Sequence, residues 1–357
     1  MAEIAFILLC HKDAQAVIAQ ARRLTATGDR VAVHFDKNGS DEDFAAIQKA
    51  LVDNPGVVFP ARRIRCGWGE WSLVEATLIA LRAAVNAFPK ASHFYLISGD
   101  CMPTKSAKWM HERLDDQDGD WIESYDFFHS DWIKTGLRDE RLIYRHFFNE
   151  RGQAKLFYTS MAVQERLGLR RKVPEDLDVR IGSQWWCLRR PTVEKLLQFI
   201  DARRDAVRFF RRTWIPDETF FQTLVFHLVP EAEILNRTPT FLMFSDYGMP
   251  VNFYNDHYDL LVSQDYLFAR KISPEAMRLK SQLGRLFKND KAEMKLSDEG
   301  RRLHGFLTKR GRSGQRYAPR FWERDATIGR ERELMIVACK KWHVARRLLD
   351  QVSFHSN

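Results

Sequence analysis

The sequence predicts an α/β protein built around a doubly wound, mostly parallel sheet. Three observations lead to this fold class: near-continuous apolar segments at 4–10, 30–35 and 93–98, helical patterns between them, and polar residues directly after each segment. Buried apolar strands that alternate with helices are typical of parallel sheets covered on both faces. Because such sheets bind ligands at the carboxyl ends of their strands, the residues that follow each strand are the first functional candidates.

The individual elements follow from the same patterns. We expect strands at 4–10, 30–35, 57–59, 93–98 and 182–188, and helices at 13–25, 40–51, 72–88, 193–210, 218–228, 274–287 and 330–352. Ser40 or Asp41 is the expected cap of the second helix. Residues 109–177 have poorer periodicity and many aromatic side chains, which predicts an inserted region that either lines an acceptor cleft or is held by ordinary aromatic packing.

Length, composition and charge limit the domain organisation and the partners. A chain of 357 residues with 45% hydrophobic residues can bury a full core. Its net charge of +9 suggests nucleic-acid binding, but residues 272–357 hold 20 Lys and Arg against 10 Asp and Glu, which leaves the rest at −1. We therefore predict a catalytic body at 1–272 and a basic, mainly helical extension at 273–357. A nucleic-acid-binding protein acting through this extension is the alternative of a different class.

The cysteines and the apolar segments predict the compartment. Five cysteines without paired spacing fit reduced thiols and no structural zinc. The segment 4–10 has no basic residues before it and no cleavage site after it, and no stretch reaches the roughly 18 apolar residues of a spanning helix. We expect a cytoplasmic protein. Its basic extension is either a solvated appendage or a peripheral contact with the anionic inner face of the cell membrane.

The carboxylates offer little for a divalent metal. The loop Ser98-Gly99-Asp100 follows a predicted strand but has one carboxylate, and a lone aspartate is a poor Mg²⁺ or Mn²⁺ site. The Asp-x-Asp spacing occurs at 116–120 and 176–178, where no long apolar strand precedes it. We expect no metal cofactor, with these two segments as the alternative metal sites.

Three other segments carry candidate functional residues. Asp36 follows the second strand, where a carboxylate can accept hydrogen bonds from ribose hydroxyls or a uracil N–H, or cap the next helix. Trp185 or Trp186 can stack on a pyranose face or pack in the core. Asp217 and Glu218 lie at a helix start, where carboxylates favour the helix dipole. A sugar hydroxyl attacking an anomeric carbon also needs a carboxylate to take its proton, and one of the pair could be that base.

Together these segments resemble the core-2/I-branching β-1,6-N-acetylglucosaminyltransferase family, glycosyltransferase family 14, which includes the peptide O-xylosyltransferases. The matching stretches occur in family order at 34–37, 68–74, 95–100, 182–186, 216–221 and 267–271. The resemblance covers 4–272 and implies a GT-A-like nucleotide-sugar-binding fold. It also implies an inverting, metal-independent transfer from UDP-GlcNAc to a glycan hydroxyl, β-1,6 linkage favoured, with UDP-xylose as the alternative donor. Because the chain lacks the anchor and disulfides of Golgi relatives, a bacterial-type member is implied.

The resemblance also implies roles for individual residues. Glu218 is the expected catalytic base, and Arg237 and Lys271 are the expected cations at the UDP diphosphate. Two fixed cations can stabilise the departing diphosphate as a metal would. The remaining candidates bind the uridine, or form the pocket of the donor sugar and acceptor: His11 and Asp36 for the former, and Asp100, Ser183, Gln184, Trp185 and Asp217 for the latter.

Overall fold

The computed structural model describes residues 2–133, 136–244 and 250–297. Its strands are β1 (Ile4–Cys10), β2 (Arg30–Phe35), β3 (Val57–Val58), β4 (His93–Ser98), β5 (Met102–Pro103), β6 (Tyr125–Asp126), β7 (Arg180–Ile181), β8 (Cys187–Arg189), β9 (Thr240–Phe241) and β10 (Phe268–Ala269). Its α-helices are α1 (Ala14–Thr25), α2 (Asp41–Leu51), α3 (Trp71–Ala87), α4 (Ala107–Asp116), α5 (Glu140–Ile143), α6 (Glu150–Arg166), α7 (Arg190–Ala202), α8 (Arg204–Phe210), α9 (Phe220–Leu228), α10 (Tyr258–Ser263) and α11 (Met277–Phe287).

The central sheet has five strands in the order β3-β2-β1-β4-β8. The first four are parallel, and β8 pairs antiparallel with β4 at the edge. Strand order therefore reverses at β1, between β2 on one side and β4 on the other. This mostly parallel α/β sheet agrees with the predicted GT-A-like fold class. A reversal of this kind opens a crevice at the carboxyl ends of the strands, where ligands of such sheets bind.

Helices cover both faces of this sheet because its strands are apolar on both sides. In β1, Ile4, Phe6 and Leu8 pack in a core with the apolar side chains of α1 and α2. The intervening residues Ala5 and Ile7 face the opposite core, which contains α3, α7 and α9. The alternation follows from the two-residue period of a strand, so a continuous apolar run supplies both cores at once.

Helix capping agrees with the sequence at the first two helices. The Asp13 carboxylate accepts a hydrogen bond from the Ala16 N–H, and the Ser40 hydroxyl accepts one from Asp43. Such side chains satisfy N–H groups that have no partner inside the helix. Asp41 lies inside α2, so Ser40 is the cap of that helix.

Several elements differ from the expected boundaries. The segment predicted as one helix at 193–210 is two, α7 and α8, which meet at Arg203. The predicted strand at 182–188 is a regular strand only from Cys187 onward, and 182–186 is mostly irregular, although the Trp186 carbonyl still accepts a hydrogen bond from Leu96 of β4. The predicted helix at 330–352 lies outside the described residues.

A second small sheet attaches the C-terminal part of the described chain to this body. Strand β10 pairs antiparallel with β5 and parallel with β9. Helix α11, which belongs to the predicted extension, buries Leu279 and Leu283 in the same core as these strands. Within the described residues no helix has the length and apolarity needed to cross a membrane.

One buried carboxylate ties β8 to the loop before β6. Asp120 accepts hydrogen bonds from the Arg189 N–H at 2.8 Å and the Thr192 hydroxyl at 2.6 Å, and it pairs with the Arg189 guanidinium at 3.2 Å. The same guanidinium pairs with Asp118 at 2.8 Å. The Asp120 side chain is 0% exposed and that of Asp118 is 88% exposed.

We predict that Asp120→Ala lowers the free energy of unfolding by about 3 kcal/mol, because the Thr192 hydroxyl and the Arg189 N–H lose their buried acceptor. The guanidinium keeps Asp118 and Glu233. Asp118→Ala is the matched control, since it removes an exposed carboxylate from the same arginine, and we expect a loss below about 1 kcal/mol. Denaturant unfolding of both variants measures the difference. Equal losses would show that burial does not decide the strength of this network.

Candidate functional site

A cavity of about 750 Å³ opens at the carboxyl ends of β1, β2 and β4. Its floor is the crevice where strand order reverses. Helix α1, the segment 270–274 and helix α11 form its walls. Of the predicted site residues, the cavity contains His11, Asp36, Asp100, Gln184, Trp185 and Lys271.

The ends of β1 and β2 supply His11 and Asp36. The Asp36 N–H donates to the Cys10 carbonyl at 2.8 Å, which continues the pairing of the two strands to their last residues. The Asp36 carboxylate accepts from the N–H groups of Asn38 at 2.7 Å and Cys66 at 3.2 Å. These bonds orient the carboxylate at the cavity wall. Asp36 is therefore not the cap of α2, a role that Ser40 fills.

His34 also lines the cavity, although the sequence did not single it out as a site residue. Its Nε2 accepts a hydrogen bond from the Ile64 N–H at 2.9 Å. Burial lowers the pKa of His34 to about 4. A neutral imidazole therefore lies below Asp36, and the charge at this end of the cavity comes from Asp36 itself.

Backbone pairing between two distant segments brings basic residues to the same cavity. The Ile272 N–H donates to the Asp100 carbonyl at 2.9 Å, directly beyond the pairing of β10 with β5. Lys271 and Arg270 consequently lie beside the loop that follows β4. Lys12 lies on the opposite side of this loop, with its Nζ 3.5 Å from the Asp100 carboxylate.

The cations outnumber the anions around this loop. Burial lowers the pKa of Lys271, and the neighbouring positive charge of Arg270 lowers it further. Burial also lowers the pKa of Arg270, whose Nε has no hydrogen-bond partner within the described part of the chain. Asp100 is the acidic neighbour of both cations. An anionic ligand would relieve the repulsion between them, so the arrangement suits a phosphate or diphosphate.

Trp185 holds Arg270 in this position. The guanidinium carbon lies 4.2 Å from the centre of the indole ring, a cation–π contact. Because Arg270 covers this face of the ring, the face is closed to a sugar on that side of the cavity. The predicted stacking of a pyranose on Trp185 therefore does not fit this face, where the ring positions the Arg270 guanidinium instead.

The structure places Arg237 away from the cavity lining. Its guanidinium pairs with the Asp265 carboxylate at 3.0 Å and lies 4.7 Å from the centre of the Trp121 ring. It also donates to the Asp265 carbonyl. The expected pairing of Arg237 with Lys271 at a diphosphate does not match this arrangement, since Arg237 is held by Asp265, a carboxylate that it shares with Arg113. Arg270, directly before Lys271 in the sequence, is the arginine that reaches the cavity.

Asp217 and Glu218 lie in a 3₁₀ turn next to the cavity rather than in its lining. The Glu218 carbonyl accepts from the Gly182 N–H at 2.9 Å, and the Gln222 amide donates to the carbonyls of both Ser183 and Asp217. Gln184, which follows Ser183, lines the cavity. The turn is therefore joined by backbone contacts to the cavity wall, and it presents a 27% exposed Glu218 side chain.

Arg141 is the charged neighbour of Glu218 that the sequence did not reveal. Its Nη1 lies 3.0 Å from the Glu218 carboxylate, and its own side chain is buried. Arg141 comes from α5, a four-residue helix in the region of poor periodicity, so no local pattern marked it. The guanidinium favours the ionised carboxylate and fixes its orientation.

A group of aromatic rings borders the cavity near Trp68. Trp214 packs edge-on against Trp68 with ring centres 5.6 Å apart, and the Arg151 guanidinium lies 3.7 Å above the Trp68 ring. Trp68 lines the cavity and is half-exposed. Within the predicted aromatic region at 109–177, Trp121 and Phe127 are core residues, and none of its side chains is among those that line the cavity. An acceptor cleft formed by this region stays a prediction.

In the two alternative metal segments, aspartate carboxylates form ion pairs with arginines. Asp118 and Asp120 pair with Arg189, and Asp176 pairs with Arg203 at 2.5 Å. Within the described residues no group of three or more His, Cys, Asp or Glu side chains could hold a metal ion. These contacts give the carboxylates structural partners, while metal independence of the reaction stays a prediction.

Burial raises the pKa of Asp217 to about 7, and the negative charge of Glu218 adds to the rise. Its ordinary value is 3.8, so between these values the folded state binds a proton that the unfolded state does not. The stability contributed by this proton is complete below about pH 4 and is lost as pH rises through about 7.

We predict that, relative to Asp217→Asn, the native protein loses about 2 to 3 kcal/mol of unfolding free energy between about pH 5 and about pH 8. Asparagine cannot titrate, so the difference between the two proteins isolates this carboxyl. Denaturant unfolding at both pH values measures it, with the exposed Asp290→Asn as the control. A constant difference across this range would show that Asp217 is ionised throughout.

Comparison with known proteins shows the family to which this chain belongs. The model of the Core-2/I-Branching enzyme family matches residues 4–264, and that of a family of unknown function, DUF5928, matches residues 270–357. No curated protein matches the chain. The first family is one of glycosyltransferases, which in general use a nucleotide-sugar donor and a glycan acceptor. With this match and its α/β fold, the chain belongs to the Core-2/I-branching enzyme family and is a glycosyltransferase.

Proposed function

We propose that the protein transfers N-acetylglucosamine from UDP-GlcNAc to a glycan hydroxyl, with inversion and without a metal ion, in a β-1,6 linkage. One observation carries the proposal: Lys271 and Arg270 lie beside Asp100 in the cavity that His11 and Asp36 also line. This arrangement supplies polar groups for a nucleoside at one end and cations for its diphosphate at the other. UDP-xylose is the alternative donor, because these residues address the UDP and not the sugar.

In the proposed reaction the acceptor oxygen attacks the anomeric carbon from the side opposite the diphosphate. The new C–O bond forms as the bond to UDP breaks, and the acceptor proton passes to the Glu218 carboxylate. A single displacement of this kind inverts the anomeric centre. Arg141 supports the role of Glu218 by holding its carboxylate in one orientation, with the guanidinium at 3.0 Å.

The departing UDP takes the bonding electron pair, and negative charge grows on its diphosphate. Lys271 and Arg270 are the cations we assign to that charge. Trp185 holds Arg270 on one face, so the guanidinium is positioned before the donor arrives. Fixed charges of this kind stabilise a transition state without reorganising during the reaction.

Two further predictions concern where the protein lies in the cell and whether it contacts a membrane. The cytoplasmic location, and the contact of the extension at 273–357 with an anionic membrane, stay predictions. The basic composition of the extension supports the second of them. The body charge of −1 favours a glycan-modifying enzyme over the alternative nucleic-acid-binding protein.

We predict that the protein hydrolyses UDP-GlcNAc slowly even in the presence of EDTA. We also predict that Glu218→Gln lowers the rate of sugar transfer about 10²- to 10⁴-fold. The amide has the shape of the carboxylate but cannot take a proton. Mass-spectrometric detection of released UDP across UDP-sugars measures the donor preference, with the exposed Glu112→Gln as the control. Activity lost with EDTA and restored by Mn²⁺ would refute metal independence, and normal turnover of Glu218→Gln would remove it as the base.

We also predict that Lys271→Ala and Arg270→Ala each weaken UDP binding about 30- to 1000-fold, which corresponds to roughly 2 to 4 kcal/mol. Arg237→Ala should leave UDP affinity within about threefold of the native value, because Asp265 and not the cavity holds that side chain. Titration calorimetry with UDP measures all three. The reverse result, a large loss in Arg237→Ala and little in Arg270→Ala, would restore Arg237 as the diphosphate ligand.

A further inference from the structure

Helix α6 contacts the rest of the protein through a narrow strip. Of its 17 residues, only Phe157 and Gln164 are buried. Phe157 packs on Trp214 with ring centres 4.8 Å apart, and Gln164 exchanges hydrogen bonds with the backbone of Arg145. These two anchors fix the helix firmly to the body, while most of its circumference faces outward.

The outward side of α6 is unusually apolar. Half of the twelve exposed large hydrophobic side chains in the described residues lie between 147 and 169. Leu156, Val163 and Leu167 are spaced seven and four residues apart, so they project within about 40° of one another. Leu169 continues this strip after the helix. We call Leu156, Val163, Leu167 and Leu169 the α6 apolar strip. Clustered exposure of this kind marks an interaction surface, whereas scattered apolar residues do not.

Basic residues flank the α6 apolar strip. Residues 151–172 contain six Lys and Arg against a single acidic residue, Glu165. Lys155 and Arg166 directly precede Leu156 and Leu167, so each lies about 100° around the helix from an apolar side chain. Of the six, Arg171 turns inward to the Phe209 carbonyl. The five others form no ion pair among the described residues: Arg151, Lys155, Arg166, Arg170 and Lys172.

An apolar strip in a segment where six cations face a single carboxylate fits one occupant best, an anionic lipid surface. Apolar side chains of such helices enter the boundary between headgroups and acyl chains, and lysine and arginine reach the headgroup phosphates. Two other occupants would be repelled. A second copy would present the same positive charge, and residues 298–357 of this chain carry 14 Lys and Arg against 7 Asp and Glu.

We propose that α6 is an interfacial helix that docks the protein on an anionic lipid surface. The N-terminal end of α6 lies beside the cavity, because the Asn149 amide donates to the Trp68 carbonyl at 3.0 Å and Arg151 covers the Trp68 ring. Docking through α6 therefore brings the cavity mouth to the lipid surface. The acceptor class that fits this geometry, which rests on the proposed function, is a glycan presented at a membrane.

Sedimentation of the full chain with vesicles tests the proposal. We expect binding to vesicles of phosphatidylcholine with phosphatidylglycerol, and little binding to phosphatidylcholine alone. Leu156→Ser/Val163→Ser/Leu167→Ser should weaken binding at least about tenfold, through lost insertion. Lys155→Gln/Arg166→Gln/Arg170→Gln should weaken it about a hundredfold at low salt.

Matched controls use exposed residues elsewhere on the protein. Val52→Ser/Leu296→Ser removes apolar side chains of similar exposure, and Lys49→Gln/Lys90→Gln/Lys195→Gln removes three cations. Both controls should bind vesicles like the native chain. UDP affinity, measured on every variant, reports that the cavity is intact, so a failure of docking and a failure of the proposed function are distinguishable.

Unchanged vesicle binding in both α6 variants would overturn the proposal and place any membrane contact elsewhere. The proposal would equally fail if the cationic variant lost binding to dextran sulfate while the apolar variant kept full vesicle binding, since the face would then be a polyanion site. As an independent measurement, Val163→Cys labelled with an environment-sensitive fluorophore should shift to shorter wavelength on anionic vesicles, and labelled Val52→Cys should not. Equal shifts, or none at Val163, would also refute docking through α6.

Discussion

The functional cavity depends on one backbone contact, the antiparallel pairing of β10 with β5 and its extension from Ile272 to Asp100. This pairing joins segments about 170 residues apart in the sequence. Without it, Lys12 would be the one cation described beside the loop after β4, and Arg270 and Lys271 would not lie there. The parallel sheet supplies the position of the crevice, and the small sheet supplies its positive charge.

The cations in this cavity are held at an electrostatic cost. Lys271 and Arg270 are adjacent in the chain, and burial lowers the pKa of both side chains; the positive charge of Arg270 lowers the pKa of Lys271 further. Two contacts hold these side chains in place despite the repulsion. The pairing of β10 with β5 fixes the backbone, and the Trp185 ring packs against Arg270. A doubly charged ligand gains from both cations at once, whereas a neutral ligand gains from neither. The charge of the cavity is thus complementary to the nucleoside diphosphate that we propose as its ligand.

Much of the architecture follows from local patterns in the sequence, because β1, β2 and β4 are continuous apolar runs bounded by capped helices. The positions of His11, Asp36 and Asp100 were predictable for the same reason, since each follows a strand of the parallel sheet. The positions of Arg270 and Arg141 at the site were not predictable from such local patterns. Their roles come from β10–β5 pairing and from a four-residue helix, both long-range arrangements with no periodic signal. Arg237, predicted at the diphosphate, lies outside the cavity lining because Asp265, 28 residues later, binds it in three dimensions.

The aromatic cluster of Trp68, Trp214 and Phe157 connects two surfaces that serve different tasks. Phe157 anchors α6, Trp68 forms part of the cavity rim, and Trp214 touches both rings. A displacement of α6 would therefore shift the Trp68 ring at the cavity rim, because Phe157, Trp214 and Trp68 pack directly on one another in that order. The placement of α6 and the placement of Trp68 at the cavity rim are thus mechanically coupled.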